Sequence, residues 1–341
     1  MATLKDISRH LGLSVTQVSR ALNGHLDVNE DTRLRVMDAA KSMNYHPNLS
    51  ARKLATGRSG IVGLVMPSPH RMEGDSLFVQ MVAGLSARFS KNDIRFILHI
   101  AEENDDLVAV HRRLVESASL DGFVVVEPLD HDPRIAYLKK RGIPFVLHGR
   151  TADKPDFPYF DIDNFGVGYR LTRHLMDHGH RNIAFLNGEK GRSYVTARQM
   201  GYAAALAESA IPFDPGLHCH GPMAHSFGLV QTILIMQTPN PPTAFIAGNA
   251  WIAKGIYAGL QALGLRIPQD VSVVGHDDLL PQAETGFMSP PLTVTESALH
   301  LSWTPLADLL LGALTGQEIE TLQKIGDVAF VDRASVGPVL A

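Results

Sequence analysis

The chain has little that would fix it outside a cell or inside a membrane. Its 341 residues include one cysteine, Cys219. No disulfide can close within the chain, which suits a reducing compartment. Apolar runs are short, and none reaches the roughly 18 residues of a membrane-spanning helix. The N-terminus lacks the charged-then-apolar order of a secretory leader. There is no Gly-x-Gly-x-x-Gly between strand and helix and no Gly-Lys-Ser/Thr loop, the phosphate cradles of nucleotide enzymes. Gly57, Gly60 and Gly63 are too widely spaced to replace them. His218 and His220 flank Cys219, but no second cysteine lies nearby and Gly221-Pro222 follows, so no metal site is expected. His276 and Asp277 are adjacent on a strand end and point to opposite sides, which argues against a catalytic dyad. These absences favour a soluble cytoplasmic protein without cofactor, and not an enzyme.

What is present starts at residue 3. Leu4, Ile7 and Leu11 fall at i, i+3 and i+7, one stripe of a helix. Thr3 is placed to cap it, with Asp6 three residues on. Gly12 follows and can take the left-handed conformation that stops a helix. Ser14 then caps a second helix. Val15, Val18 and Leu22 form its inward stripe, and Thr16, Gln17 and Arg20 take the other side. A hydroxyl, an amide and a guanidinium can read base edges or hold phosphates. Asn23-Gly24 ends this helix. A third fits Asp31 to Met43, capped by Asn29, with Val36, Met37, Ala40 and Met43 inward. Any small helical hairpin keeps polar residues outside, so spacing alone does not decide between DNA binding and a plain bundle. Charge adds weight. Residues 1–60 hold nine basic and five acidic side chains, net +4, and the rest holds 22 and 30, net −8. A basic head on an acidic body is expected of a nucleic-acid module joined to a soluble domain.

From Ile61 short apolar runs alternate with amphipathic stretches. Strands fit 61–66, 94–100, 123–126, 145–147, 159–163, 183–186, 244–247 and 271–274. Helices fit about 75–90, 106–118, 133–141, 165–178, 195–209, 250–264 and 299–315. Such alternation means parallel sheets with helices on both faces. About 280 residues exceed one comfortable core, so two lobes are expected.

The head resembles that of the LacI family of bacterial transcription regulators. The residues that carry this are Thr3-Leu4-Lys5-Asp6-Ile7, Gly12-Leu13-Ser14, Val18 to Gly24, Val28, Thr32-Arg33, Asn44 to Asn48 and Ala51 to Gly57. The body resembles the same family, and more loosely the periplasmic sugar-binding proteins. The match runs through Asp163-Asn164, His174-Leu175, Gly179 to Ala184, Arg198 with Gly201-Tyr202, Ala247-Gly248-Asn249, Leu263 to Asp278, and Pro290 to Val294. Residues 67–120 match weakly.

The resemblance implies an all-α helix–turn–helix headpiece at 1–47 and a hinge helix and linker at 48–60. Behind them it implies an α/β bilobal effector-binding and dimerisation domain at 61–341, periplasmic-binding-protein-like, with two parallel sheets. Its N-lobe would take about 61–161 plus 292–325, and its C-lobe about 162–291 plus 326–341. DNA contacts carried over are Thr3, Ser14, Val15, Thr16, Gln17, Ser19, Arg20 and Asn23 in the head. In the hinge they are Asn48, Ala51, Arg52 and Leu54. Val15 suits a thymine methyl, and Leu54 stands where the family wedges a Leu into the minor groove. The hinge lies between Pro47 and Gly57, below the roughly 12–15 residues at which an isolated helix becomes marginal. It needs DNA or a partner to order it.

Ligands of such folds bind beyond the carboxyl ends of the strands. Arg198 and Asp277 are the expected grip on a polyol, Arg donating and Asp accepting. Asn249 is a third contact, and Phe78, Asp163, Met223 and Trp251 are further candidates. A structural ion pair is the bland alternative for Arg198 and Asp277, and ordinary core packing for Phe78 and Trp251. Two departures weigh against a simple hexose. The family's Asn-Asp after the strand is Asn249-Ala250 here, and its Asn-Pro-Phe-Phe is replaced by His70 to Phe78. A larger glycoside, such as an oligosaccharide or α-galactoside, is expected. The function implied is a repressor of carbohydrate-use genes that works as a homodimer or a tetramer. A sugar or glycoside would release it from a palindromic operator. A corepressor-dependent or activating regulator responding to a non-sugar metabolite is the alternative, and an α/β sugar-modifying enzyme the alternative of another class.

Overall fold

The computed structural model describes residues 2–22, 27–45, 58–67, 76–102, 104–118, 120–151, 155–280 and 283–339. The chain divides into two compact units, Met1–Gly60 and Ile61–Ala341. The expected readers Asn23, Asn48, Ala51, Arg52 and Leu54 lie outside the described residues.

In the first unit, α1 spans Leu4–Leu11, α2 Val15–Leu22 and α3 Glu30–Ser42. Local chemistry sets their ends. The Thr3 hydroxyl accepts from Asp6 N while the Asp6 carboxylate accepts from Thr3 N, a complete capping box. Gly12 follows α1 at φ 67°, where a Cβ would be strained. A second box closes α2: Gln17 N donates to Ser14 Oγ at 3.1 Å, and Ser14 N to Gln17 Oε1 at 3.0 Å. Asn29 caps α3 through Asp31 N, so that helix starts one residue earlier than expected. Ile7, Val18, Ala21, Val36, Ala39 and Ala40 form the buried core, with Leu4, Leu11 and Leu22 partly buried against it. Two expectations fail. Val15 is 39% exposed and Met37 is 54% exposed. Their inward places belong to Ala21 and Ala39, small side chains that let short helices approach closely.

The second unit holds two sheets. The first takes β1 (Ile61–Pro67), β2 (Arg95–Ala101), β3 (Gly122–Val125), β4 (Phe145–His148), β5 (Tyr159–Ile162) and β11 (Gln323–Gly326). Its order is β11-β5-β4-β3-β1-β2, all parallel. The second takes β6 (Ile183–Asn187), β7 (His218–His220), β8 (Ala244–Ala247), β9 (Ser272–Asp277), β10 (Thr293–Glu296) and β12 (Ala329–Val331), ordered β12-β10-β9-β8-β6-β7. Here β12 pairs antiparallel with β10. The sheet is therefore mixed, not purely parallel as expected; an antiparallel edge strand on a parallel sheet is a common variation.

Helices cover both faces of each sheet. On the first, α4 (Ser76–Ser90) and α11 (Trp303–Thr315) pack one side, α5 (Leu107–Ala118) and α6 (Pro133–Lys140) the other. On the second, α7 (Asn164–Asp177) and α8 (Ser193–Glu208) face α9 (His225–Met236) and α10 (Ala250–Ala262) across the strands. The chain crosses between sheets three times: after Ile162, between Glu296 and Trp303, and between Gly326 and Ala329. The expected N-lobe piece 292–325 is thus corrected. Val294 lies beside Gly275 of β9 in the second sheet, so the crossing comes after Glu296. Short strands such as β7, β10, β11 and β12 carry too few residues for a period to show, and α9 is nearly uniformly apolar. Two glycines set the position of α8. A Cβ on Gly168 would meet Arg198 O at 2.0 Å, and one on Gly201 would meet Phe165 O at 2.0 Å. Only bare backbone lets α7 and α8 approach this closely.

Candidate ligand cleft and nucleic-acid interface

On the head, the outer side of α2 and its turn exposes Ser14, Val15, Thr16, Gln17 and Arg20, with Ser19 half-buried. Their chemistry is not equally available. Ser14 and Gln17 hold each other in the capping box. Thr3 is likewise engaged with Asp6. Arg20 pairs with Asp27, both exposed to solvent. Val15 and Thr16 are the outward pair at the start of the helix. Gln17 therefore reads first as the residue that starts α2, a role the spacing Ser-x-x-Gln carries in the sequence.

In the body, β6 leads into α8, which carries Arg198 inward until it is only 4% exposed. Its Nε donates to Asn164 Oδ1 at 2.8 Å and its Nη1 to Gly248 O at 2.6 Å. The Tyr194 ring lies 5.4 Å from the guanidinium carbon. Asn164 in turn donates to Asp161 Oδ1, and Arg150 Nε to Asp161 Oδ2 at 2.7 Å. This row runs from the end of β4 and β5 in the first sheet to α8 on the second. Burial lowers the pKa of Arg198 and raises that of Asp161 against the pull of Arg150.

Asp278, like Asp161, acts on Arg198 electrostatically. Burial would raise the Asp278 pKa, but His276, Arg198 and His148 together hold it below its ordinary value. His276 Nε2 stands 3.4 Å from Asp278 Oδ1. His148, at the end of β4, is pushed down to about 4 by burial, with Asp278 pulling the other way. Its ring is 5.3 Å from Trp303. Ser193 Oγ and Trp303 Nε1 are buried without a hydrogen-bond partner. A guanidinium, an amide, a carboxylate and one phenol face thus come together from both lobes.

Several expected contacts already have partners within the chain. Asp277 is buried, but it accepts from Leu279 N at 2.8 Å and from the Thr285 hydroxyl, so its oxygens are spent on the following loop. The chain turns after β9, with Leu279 at φ 53°, and Asp278 lies against His276 instead. Asp163 is exposed and caps α7 by accepting from Gly166 N; its neighbour Asn164 reaches Arg198. Asn249 caps α10 through Ile252 N and donates to Met223 O. Met223 packs over Gly188 and Gly248, beneath the carbonyl that Arg198 holds. Trp251 is half-buried with Lys254 Nζ 5.1 Å from its ring. Phe78 packs half-buried on the first sheet's core. Sequence reading missed Asn164, Tyr194, His148, His276, Asp278 and Trp303. The doublet Asp277-Asp278 was the visible signal for one of them.

A second seam joins the lobes. Ser193 N donates to Pro128 O, Asp130 N to Gly191 O at 2.9 Å, and Thr196 Oγ1 to Asp130 Oδ2 at 2.7 Å. Arg192 Nη1 donates to Glu127 O at 3.0 Å. Behind the seam, Arg134 and Asp132 form a fully buried pair at 2.6 Å, and Arg134 also holds Val126 O and Glu127 O. Among the described residues, no helix is long and apolar enough to cross a membrane, and no cluster of three His, Cys, Asp or Glu is placed to hold a metal.

A helix–turn–helix head and a two-lobed α/β body with a polar cleft define a ligand-responsive DNA-binding regulator. Comparison with known families agrees. Residues 3–48 match the model of bacterial regulatory proteins of the lacI family. Residues 59–325 match that of periplasmic binding proteins and the sugar-binding domain of the LacI family. The chain belongs to the LacI family; it is a transcriptional regulator and not an enzyme. It is 37% identical to the HTH-type transcriptional regulator AglR of Rhizobium meliloti (strain 1021), over 98% of this chain and 94% of that protein. It is 36% identical to RafR of Escherichia coli, over 94% of each. A solved complex of the regulator CelR with cellobiose superposes with a TM-score of 0.70 at 25% identity, covering 98% of this chain and 100% of that one. The lac repressor dimer bound to operator and an anti-inducer gives 0.75 at 25% identity, covering 98% and 99%.

Proposed function

We propose that the chain is a homodimeric cytoplasmic repressor of carbohydrate-use genes, lying on the nucleoid while bound. A glycoside of two or more sugar units releases it from a palindromic operator. The observation that carries the ligand class is the buried pair Arg198 and Asn164, with the half-exposed Asp278 acting on the guanidinium and the Tyr194 ring beside it. A planar donor, an acceptor and an aromatic face are what a polyol ring needs. Size is supported by the departures at Asn249-Ala250 and His70 to Phe78, and by the cellobiose-bound relative of the same fold.

Val15, Thr16 and Arg20 read the major groove, two heads sit about one helical turn apart, and Leu54 enters the minor groove between them. The ligand acts through its differing affinity for the lobe arrangements that bind and release DNA. Thermal shift with a sugar panel, paired with operator gel shift, tests this. Disaccharides and longer α- or β-glycosides should raise the melting temperature and free the operator. Stabilisation by free hexoses alone would sink the size assignment. A Leu54→Ala variant should lose specific affinity while keeping ligand binding; unchanged operator affinity would reject the wedge.

A further inference from the structure

The body has a second cavity, outside the Arg198 cleft. It measures about 430 Å³ and lies between α8, the segment before β7, and β7 itself. That is within the range of small-molecule sites, roughly 300–1,000 Å³. Lys190, Thr196, Gln199, Phe213, His218 and His220 supply its chemistry, and no carboxylate lines it. The faces of α8 explain why the two sites differ. Tyr194 and Arg198, four apart, share one side of the helix, and Val195 and Gln199 share the next.

His218 is the unusual member. It is 7% exposed and Nε2 is buried with no hydrogen-bond partner. Aromatic rings pack around it: Phe213 meets it edge-on at 5.7 Å, His220 at 4.3 Å, and Tyr202 stacks behind at 6.0 Å. Burial, with His220 and Lys190 adding to it, pushes its pKa down to about 4. It is a neutral imidazole at neutral pH, one nitrogen donating and the other accepting. A buried polar atom without a partner costs stability unless something occupies it. The charge in the cavity comes from Lys190, on the loop Gly188-Glu189-Lys190-Gly191 that opens α8.

We infer that this cavity is a second ligand site, for a small organic anion whose flat or apolar body lies along Phe213 and His218 and whose carboxylate or phosphate meets Lys190. Its place gives it a consequence. Thr196 lines the cavity, and its hydroxyl is the one that donates to Asp130 across the lobes. An occupant therefore touches the seam that lobe closure must make or break, without entering the Arg198 cleft.

Calorimetric titration of the full chain tests this, with phenyl phosphate, benzoate, inorganic phosphate and the neutral benzyl alcohol as probes. Phenyl phosphate or benzoate should bind at one site per chain, and the tighter of the two names the head group. Benzyl alcohol and inorganic phosphate should each bind at least about tenfold more weakly, the loss of one charge-assisted contact or of the apolar body. Lys190→Ala, at an exposed position, should weaken the aryl anion by about the same factor, and Gln199→Ala should weaken it too. Arg198→Ala should leave it unchanged. Equal binding of the neutral probe overturns the inference, as does an unaltered affinity in Lys190→Ala. Loss of binding in Arg198→Ala also overturns it, since the anion would then occupy the lobe cleft. Absence of saturable binding by either aryl anion does the same.

Discussion

Replacing Arg134 with Met should unbalance the buried pair behind the seam. Arg134 is an almost unexposed side chain that gives Nε and Nη2 to Asp132 at 2.9 and 2.6 Å, and Nη2 to two carbonyls at 3.1 and 3.2 Å. Methionine fills much of the volume but returns none of these bonds. Asp132 would be left as a buried carboxylate with its cation gone, a loss of about 3–5 kcal/mol. The double variant Asp132→Asn/Arg134→Met keeps an acceptor for the cap on Arg134 N and removes the stranded charge. What remains is the donor lost at Val126 O, about 1–3 kcal/mol, since Glu127 O still accepts from Arg192 Nη1. The double variant should therefore be more stable than the single one.

The pH dependence has a definite sign. In the wild type, burial would raise the Asp132 pKa, but Arg134 overrides it and the value is lowered. Its contribution is complete above the unfolded value near 3.9 and is lost as pH falls through the folded one. In Arg134→Met the carboxyl has burial and no guanidinium, so its folded pKa rises. The deficit should be full at neutral pH and shrink toward pH 4. Urea unfolding followed by circular dichroism at pH 7 and pH 5 measures both. A single variant that loses less than about 1 kcal/mol, or a double variant no better than the single, refutes the account of the pair.

Other variants separate neighbours that the sequence could not. Asp278→Asn should weaken glycoside binding about tenfold or more, the scale of a charged hydrogen bond, with little change in melting. Asp277→Asn should instead lower stability by about 1–3 kcal/mol with ligand affinity kept; thermal shift with and without glycoside distinguishes them. On the head, Thr16→Ala should cost about 1–3 kcal/mol of operator affinity with the head intact. Gln17→Ala should weaken DNA binding only as far as it destabilises α2; helix content by circular dichroism beside gel shift tells the two apart. Gly168→Ala should be severe, since its Cβ would overlap Arg198 O. Expression, then ligand response, reads it out, and a fully stable, responsive protein would contradict the close packing of α7 on α8.

The sequence shows the parts whose chemistry is local. Caps at Thr3, Ser14 and Asn29 are side chain to backbone bonds three or fewer residues away, so the head's three helices are visible in one dimension. Long apolar strands such as β1 and β9 announce themselves in the same way. The cleft is not local. Whether Asp277 or Asp278 acts on Arg198 depends on where β9 ends and how the chain turns, and both candidates are acidic. Asn164 reaches Arg198 only because two glycines let α7 and α8 touch. Asn249 looks like a ligand contact by position, yet its amide is spent on the start of α10. The same holds for Val15 and Met37: apolar residues at helical spacing fill a core only where the neighbouring helix lies, and in this head alanines lie there.

The three crossings between sheets order the making of the molecule as well as its motion. The first sheet receives β11 from residues 323–326, and its core is closed by Trp303, Leu306 and Leu310 of α11. Five of its strands precede residue 163, so they leave the ribosome while nearly half the chain is still to come. Synthesis at about 5–20 residues per second leaves that half-built sheet waiting for many seconds with an apolar face and a strand edge uncovered. The lobe that is begun first is closed only near the end of the chain, just before β12 completes the second.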